Sequence, residues 1–268
     1  MTKGIDYGVC GLPELFDSER LKTLKIKKLA NLIKKSNYIV CHTGAGISTS
    51  CGIPDFRGPK GVWTLEKKGL PPASPGAPQD TSWESVTPSY THMCLLALHQ
   101  MGKLKFLISQ NVDGLHLRSG FPRNSISELH GNVFKEKCEK CKTEYFRPYD
   151  VKGIGFKETG RLCEQAGCPG KLRDELLDWE DALPEEDYIT AQKHCQVADL
   201  SLCLGSSLRV SPANSLPALT VEHGGSLVIV NLQRTPLDNE ALVKINARCD
   251  EVMEDLFRLL QYTPLPYN

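Results

Sequence analysis

The strongest constraint on the fold is a set of short apolar strands, each running into a string of glycine or polar residues. Tyr38-Ile39-Val40-Cys41-His42 reads as a buried strand entering a glycine turn. Lys105 to Ser109 reads as a second strand, and Leu200 to Leu204 and Leu227 to Val230 as continuous apolar ones. Strands of that kind are covered on both faces, as in a parallel sheet. Helical stretches separate them. Leu21 to Ser36 places Leu21, Leu24, Leu29, Leu32 and Ile33 on one face, with lysines over the rest. Thr91 to Met101 and Glu251 to Leu260 are further helices. Another starts near Pro184, with Pro at the first helical position and Glu185, Glu186 and Asp187 in the first turn. Strands alternating with helices predict an α/β fold, a doubly wound parallel sheet with helices on both faces. The stretch up to Ser18 has no periodicity and reads as an irregular arm. Pro71, Pro72, Pro75, Pro78 and Pro88 argue against regular structure between Gly69 and Pro88.

Between Cys138 and about Leu183 the chain turns rich in cysteine, glycine and charge, which reads as a small inserted module. Cys138-x-x-Cys141 and Cys163-x4-Cys168 are two thiol pairs 21 residues apart. Four thiolates suit one tetrahedral zinc at ~2.3 Å and leave no position for water, so the ion is structural. The other cysteines, such as Cys41 and Cys203, read as small hydrophobes in strands and helices. The start, MTKGIDYGVC, has no apolar core and predicts no secretory signal. Eleven cysteines in such a chain predict a reducing compartment. Lys+Arg and Asp+Glu both number 32, and that balance argues against a protein that coats nucleic acid. No apolar run approaches the ~20 residues of a membrane span.

The strand ends carry the chemistry. Strand 38–42 ends in Gly44-Ala45-Gly46-Ile47-Ser48. Glycines there permit a tight turn and close approach of backbone N–H groups to a pyrophosphate, and a following helix start adds a favourable dipole. Thr49 stands where a dinucleotide fingerprint has its third glycine, and an ordinary strand-to-helix turn fits equally well. Other strands end in Ser109-Gln110-Asn111-Val112-Asp113-Gly114, Gly205-Ser206-Ser207 and Asn231-Leu232-Gln233. Each alone is ordinary loop capping. Together they place a ligand cleft at the C-terminal edge of the sheet. Glu128-Leu129-His130-Gly131 adds a histidine able to act as a general base beside such a cleft.

Taken together these strings resemble the sirtuin family. The resemblance rests on Gly44 to Ser48, Gly52-Ile53-Pro54-Asp55-Phe56-Arg57, Gln110-Asn111-Val112-Asp113, Leu129-His130-Gly131, the four cysteines, Gly205-Ser206-Ser207 and Asn231-Leu232-Gln233. They run in family order from about residue 24 to 260. Gly61-Val62-Trp63-Thr64, the string from His116 to Arg123, Leu172-Arg173-Asp174 and Asp178-Trp179-Glu180-Asp181 look like the class IV branch. Within it, Cys10 to Asp17 and the Trp-Glu-Asp string look closest to the sirtuin six group.

The resemblance implies an N-terminal arm over residues 1–20. It implies a Rossmann-like NAD-binding lobe over 21–134 and 190–262, and a small zinc-binding lobe with an acidic connector over 135–189. It implies an NAD+-dependent protein-lysine deacylase in which NAD+ is a co-substrate. The acyl-lysine carbonyl oxygen attacks the nicotinamide ribose, nicotinamide leaves, and the acyl group ends on ADP-ribose. On that pattern His130 deprotonates a ribose hydroxyl, while Asn111 and Asp113 hold the nicotinamide carboxamide and the ribose. Phe56 shields the cationic centre, and Arg57 with the Gly44, Ala45, Gly46 and Ser48 turn meets the phosphates. Trp63 caps the ribose. Ser207, Asn231 and Gln233 hold the adenosine end, with Gly205, Ser206, Leu232 and Cys249 beside them, and Thr49, Asp55 and Gln110 complete the cofactor set. Cys138, Cys141, Cys163 and Cys168 hold the zinc. Departures from the pattern are Ser206 in place of threonine, Cys249 in place of an apolar residue, a shorter segment between Arg161 and Lys171, and a sequence that stops at Asn268 without a proline-rich basic tail.

The implied partner is an acyl-lysine protein. Asp174 to Asp187 carries eight acidic residues and no basic one, which fits recognition of basic histone tails and equally fits a solvated turn. The lysines of helix 22–35 allow contact with nucleosomal DNA, though such a face is more often simply solvated. No Tyr/Arg pair follows the Pro-rich stretch to clamp a carboxylate, so neutral acyl groups are expected. The resemblance implies a nuclear protein with mono-ADP-ribosyl transfer as a side activity; the sequence shows no localisation signal and sets no oligomeric state. Two other classes fit parts of the pattern. An NAD-dependent dehydrogenase is opposed by the incomplete fingerprint. A non-catalytic zinc-containing chromatin module sensing NAD+ or ADP-ribose is opposed by His130, Asn111 and Asp113.

Overall fold

A computed structural model describes residues 7–71 and 82–267, so Pro72, Pro75 and Pro78 lie outside the described residues. The arm, from residue 7 to the cap at Ser18, is irregular. Helix α1 (Glu19–Lys35) follows, with Glu19 in its first turn and Lys34 and Lys35 in its last. Its buried stripe is Ile26, Leu29, Ala30 and Ile33. The expectation for Leu21 and Leu24 is corrected here, because they are 43% and 56% exposed. At about 100° per residue they fall more than a quarter turn from the Ile26 to Ile33 stripe, and the core face continues through Lys22 instead.

Strand β1 (Ile39–Thr43) leads to α2 (Val62–Lys67) and α3 (Tyr90–Gln100). Then come β2 (Leu104–Ser109), the single turn α4 (Leu115–Arg118) and β3 (Ile126–Glu128). The small sheet follows as β4 (Lys135–Cys138), β5 (Glu144–Phe146), β6 (Glu158–Leu162) and β7 (Lys171–Asp174). The chain returns through α5 (Glu185–Val197), β8 (Leu200–Leu204), α6 (Leu216–Glu222), β9 (Ser226–Val230), β10 (Val243–Ile245) and α7 (Cys249–Leu260).

Six parallel strands form the large sheet in the order β10-β9-β8-β1-β2-β3. The chain winds outward from β1 through β2 to β3, then restarts on the other side with β8. The order therefore reverses between β1 and β8, and ligands of open α/β sheets bind at such a switch point. Both faces are apolar. Cys41, Leu107, Leu202 and Val228 pack with α1, α3 and α7, while Val40, Phe106 and Ile108 pack with α5 and α6. Each fully buried aliphatic side chain contributes roughly 1.5–3 kcal/mol.

The small sheet is antiparallel, in the order β5-β4-β7-β6. One expectation for the return segment is corrected. Pro184 is the N-cap and Glu185 opens α5. That helix is continuous through residue 189 and packs on α6 and β3.

Candidate active site and cysteine centre

The cleft lies at the C-terminal ends of β1, β2, β8 and β9. Gly44 and Gly46 end β1 directly against Gly205, which follows β8. A Cβ on Gly44 would sit 2.8 Å from the Gly205 carbonyl oxygen, and one on Gly46 2.7 Å from the Gly205 Cα. Glycine is required here because two backbones touch. The turn does not open an α-helix. It continues as two short 3₁₀ turns, Ala45–Ile47 and Thr49–Cys51. The Gly44, Gly46, Ile47 and Ser48 amides donate to the Leu204, Gly205, Gly44 and Ala45 carbonyls. The glycines are thus followed by 3₁₀ turns in place of the expected helix start, and the Ala45 amide is not among these donors. Thr49 faces solvent, its hydroxyl bonding the Gly46 carbonyl at 3.2 Å.

The β2 end is bolted to this turn. Ser48 Oγ donates to Asp113 Oδ2 at 2.7 Å, and the Leu115 amide donates to Oδ1 at 3.0 Å. Asn111 Nδ2 donates to the Gly44 carbonyl at 3.2 Å. Burial pushes the Asp113 carboxyl up from its ordinary value, against the bonds that favour its anion. Gln110 reaches Ser206 Oγ at 3.3 Å, and its carbonyl lies 2.9 Å from His130 Nδ1.

That last bond decides the state of the histidine. A carbonyl only accepts, so Nδ1 carries the proton and Nε2 keeps its lone pair. Nε2 is buried and has no partner. Burial lowers the His130 pKa, and the positive Arg57 lowers it further, so the imidazole is neutral at pH 7. Arg57 Nε is likewise buried without a partner. An orphan acceptor and an orphan donor beside one cleft mark a place for a polar ligand.

The loop after the glycine turn is folded rather than splayed. Asp55 Oδ1 accepts from the Gly58 amide at 2.8 Å, and the Trp63 amide donates to the Phe56 carbonyl at 3.0 Å. The Arg57 guanidinium lies 4.3 Å over Trp63. Trp63 stacks on Tyr7 at 4.9 Å, lies 4.6 Å from Phe56, and meets Trp179 edge-on at 5.2 Å. Trp63 is thus the centre of an aromatic cluster that joins the arm, the loop and the connector.

At the β9 end, Gln233 Nε2 donates to the Leu12 carbonyl at 2.6 Å and the Arg57 carbonyl at 3.1 Å. Asn231 Nδ2 bonds the Gln233 carbonyl at 3.1 Å, and the Leu232 carbonyl accepts from Leu15 at 2.8 Å. These residues pin the arm against the loop that carries Arg57. Cys249 is buried at the start of α7, and burial pushes its thiol up to about 12, so it is a neutral packing residue beside Gly205. Ser207 is half-buried in the turn after β8.

In the small lobe the Cys138, Cys141, Cys163 and Cys168 sulfurs all lie within 4.8 Å of one another. The Cys138–Cys168 and Cys141–Cys163 separations are 3.7 and 3.4 Å. A tetrahedron with ~2.3 Å bonds has edges of about 3.8 Å, so the four sulfurs fit one zinc. The Thr143 hydroxyl and amide hold the Cys141 thiol down at about 6, toward the thiolate a metal needs.

A profile of the Sir2 family matches residues 76–212, about half of the chain. The Drosophila melanogaster NAD-dependent protein deacetylase Sirt6 is 45% identical, over 94% of this chain and 80% of its own length. The chain belongs to the Sir2 family. The Arabidopsis thaliana NAD-dependent protein deacetylase SRT1 is 52% identical over 98% of this Sir2 chain, which spans only 54% of that protein. Among solved structures, a Sir2 complex with p53 peptide and NAD+ superposes with a TM-score of 0.67 at 31% identity, covering 88% of this chain and 98% of that one.

Reading the Sir2 sequence alone misses Tyr7 and the latch from Gln233 to Leu12. The arm has no periodicity, and a single aromatic in it signals nothing. Trp179 is visible only as part of a string. No sequence feature shows that it meets Trp63 across the cleft.

Proposed function

We propose that this chain is an NAD+-dependent protein-lysine deacylase, releasing nicotinamide and passing the acyl group to ADP-ribose. The observation that carries the reading is His130. Its tautomer is fixed by the Gln110 carbonyl, and its basic Nε2 is buried, unpartnered and beside the polar strand ends. NAD+ supplies an electrophilic ribose carbon once nicotinamide departs. His130 Nε2 takes the proton of a ribose hydroxyl, so that the oxygen can attack the acyl-bearing carbon. Asn111 and Asp113 orient the nicotinamide and ribose, Arg57 faces the phosphates, and Phe56 and Trp63 keep water out. Cys138, Cys141, Cys163 and Cys168 hold one structural zinc. The names of the Drosophila and Arabidopsis relatives, and the NAD+ and peptide in the Sir2 complex, support the same chemistry.

The finer reading is a nuclear enzyme acting on histone tails and chromatin. The acidic run from Asp174 to Asp187, beside the cleft, supports it. Mono-ADP-ribosyl transfer to a protein side chain is the alternative fate of the same activated ribose. Mass spectrometry tests the proposal on the wild-type protein with NAD+ and histone H3 peptides, one acetylated and one myristoylated. O-acyl-ADP-ribose, nicotinamide and free lysine in equal amounts are expected. Unchanged peptide and NAD+ would overturn it, and the ratio of the two rates gives the acyl preference.

A further inference from the structure

Lys135 is a charged residue where packing alone would place an apolar one. It opens β4, is 2% exposed, and is among the largest fully buried side chains. Its ammonium lies 3.5 Å from Glu144 Oε1 and 3.7 Å from Glu175 Oε2. Both are longer than the ~2.8 Å of a direct charge-assisted bond, so the ammonium is suspended between two carboxylates. Glu144 is gripped from the large lobe by Arg123, whose Nε and Nη2 each donate at 2.9 Å. Arg123 Nη1 also donates to the Ile126 carbonyl at the head of β3.

Glu175 leads directly to the catalytic turn. Its carbonyl packs so tightly on Gly131 that any Cβ there would collide with it. Two residues on, the Leu177 amide donates to the His130 carbonyl at 3.2 Å. Trp179 then meets Trp63 at 5.2 Å and Tyr7 at 5.3 Å. Segment 175–179 therefore touches the His130 turn at one end and the aromatic cluster at the other. Replacing a buried ion pair by apolar residues of similar volume is often neutral, so packing alone gives no reason for an ammonium at this position.

We propose that Lys135 is a positioning residue for deacylation: by holding Glu175 it sets where segment 175–179 lies over His130, and so how well an acyl-peptide fits the cleft. The inference rests on the deacylase reading and deepens it. Lys135 touches no reacting atom, and the proposed route to the His130 turn runs through Glu175.

Lys135→Met removes the charge and keeps the apolar stem, and Glu175→Gln removes the partner charge. Each variant is expected to raise the KM for acyl-peptide about tenfold and leave the KM for NAD+ unchanged. The double variant is expected to be no worse than either single one, since both break the same link. Hydrogen exchange at the Leu177 amide is expected to speed up in both variants, while the β8 amides stay protected. Peptide and NAD+ constants that move together, additive effects in the double variant, or unchanged Leu177 exchange would each overturn the inference. Should Lys135→Met fail to fold, Glu175→Gln carries the same prediction with Lys135 in place. Absence of turnover in the wild type removes the deacylase reading instead, and Leu177 exchange alone then decides whether Lys135 places the segment.

Discussion

The two sheets are stabilised by opposite means. In the large sheet every residue of β1 and β8 is buried, and the packing on both faces is apolar. In the small sheet β5 and β6 are half exposed, and Lys135, Glu136 and Asp174 are buried where the large sheet would carry Val or Leu. Glu136 has no exposure, and its carboxylate accepts from Arg147 at 2.6 Å, Arg161 at 2.8 Å and Thr159 at 2.6 Å. One lobe is held by packing, and the other by ions and four sulfurs. Packing degrades gradually when atoms are removed. A satisfied polar network fails abruptly when one member is lost, because its partners are left buried and unpaired.

Removing the metal should separate the lobes most sharply. Chelation, or Cys141→Ser, is expected to abolish exchange protection across β4–β7 and abolish deacylation while β1, β2 and β8 stay protected, since structural zinc contributes on the order of 10 kcal/mol. Simultaneous loss of protection in both sheets would show that the lobes are not separately stabilised.

Leu202→Ala opens a cavity in the large sheet and is expected to cost ~2–5 kcal/mol in urea unfolding without weakening metal binding. Glu136→Ala removes the carboxylate that Arg147, Arg161 and Thr159 share and is expected to cost about 1–3 kcal/mol, read as lost protection in the small sheet.

Glu128 gives a proton-linked version of the contrast. Burial pushes its carboxyl from 4.5 up to about 7, against the pull of Lys135 and Arg123. A raised carboxyl pKa means that the folded chain holds the proton more tightly than the unfolded one. The stability that this contributes is full below about pH 4.5 and is lost as pH rises to about 7. Melting curves across that window should show a steeper fall in the wild type than in Glu128→Gln; parallel falls would remove the titration. The smallest effect belongs to Leu24→Ala, expected within ~0.5 kcal/mol because that leucine is on the solvent face of α1.

What was legible in the sequence follows the same division. Continuous apolar strands and their polar ends gave the large sheet and the placing of His130, Asn111 and Asp113 at one edge, because apolar periodicity reports burial directly. Cysteine spacing located the metal cluster because ligand geometry constrains it. Nothing local to Lys135 and Glu136 shows that partners from β5, β6 and the connector come to bury them. The glycine string does not show that β1 runs against Gly205, because only the position of β8 brings the two backbones together. Leu21 and Leu24 were misplaced because any leucine near a helical spacing looks like core until the sheet fixes which face it covers.

The central claim is that the buried, unpartnered Nε2 of His130 is the base of an NAD+-dependent deacylation. Its most direct test compares wild type and His130→Tyr with NAD+ and acyl-lysine peptide, following products by mass spectrometry and the fold by thermal melting. The wild type is expected to form O-acyl-ADP-ribose, and His130→Tyr to melt alike and form none. Full turnover by the folded variant would contradict the account.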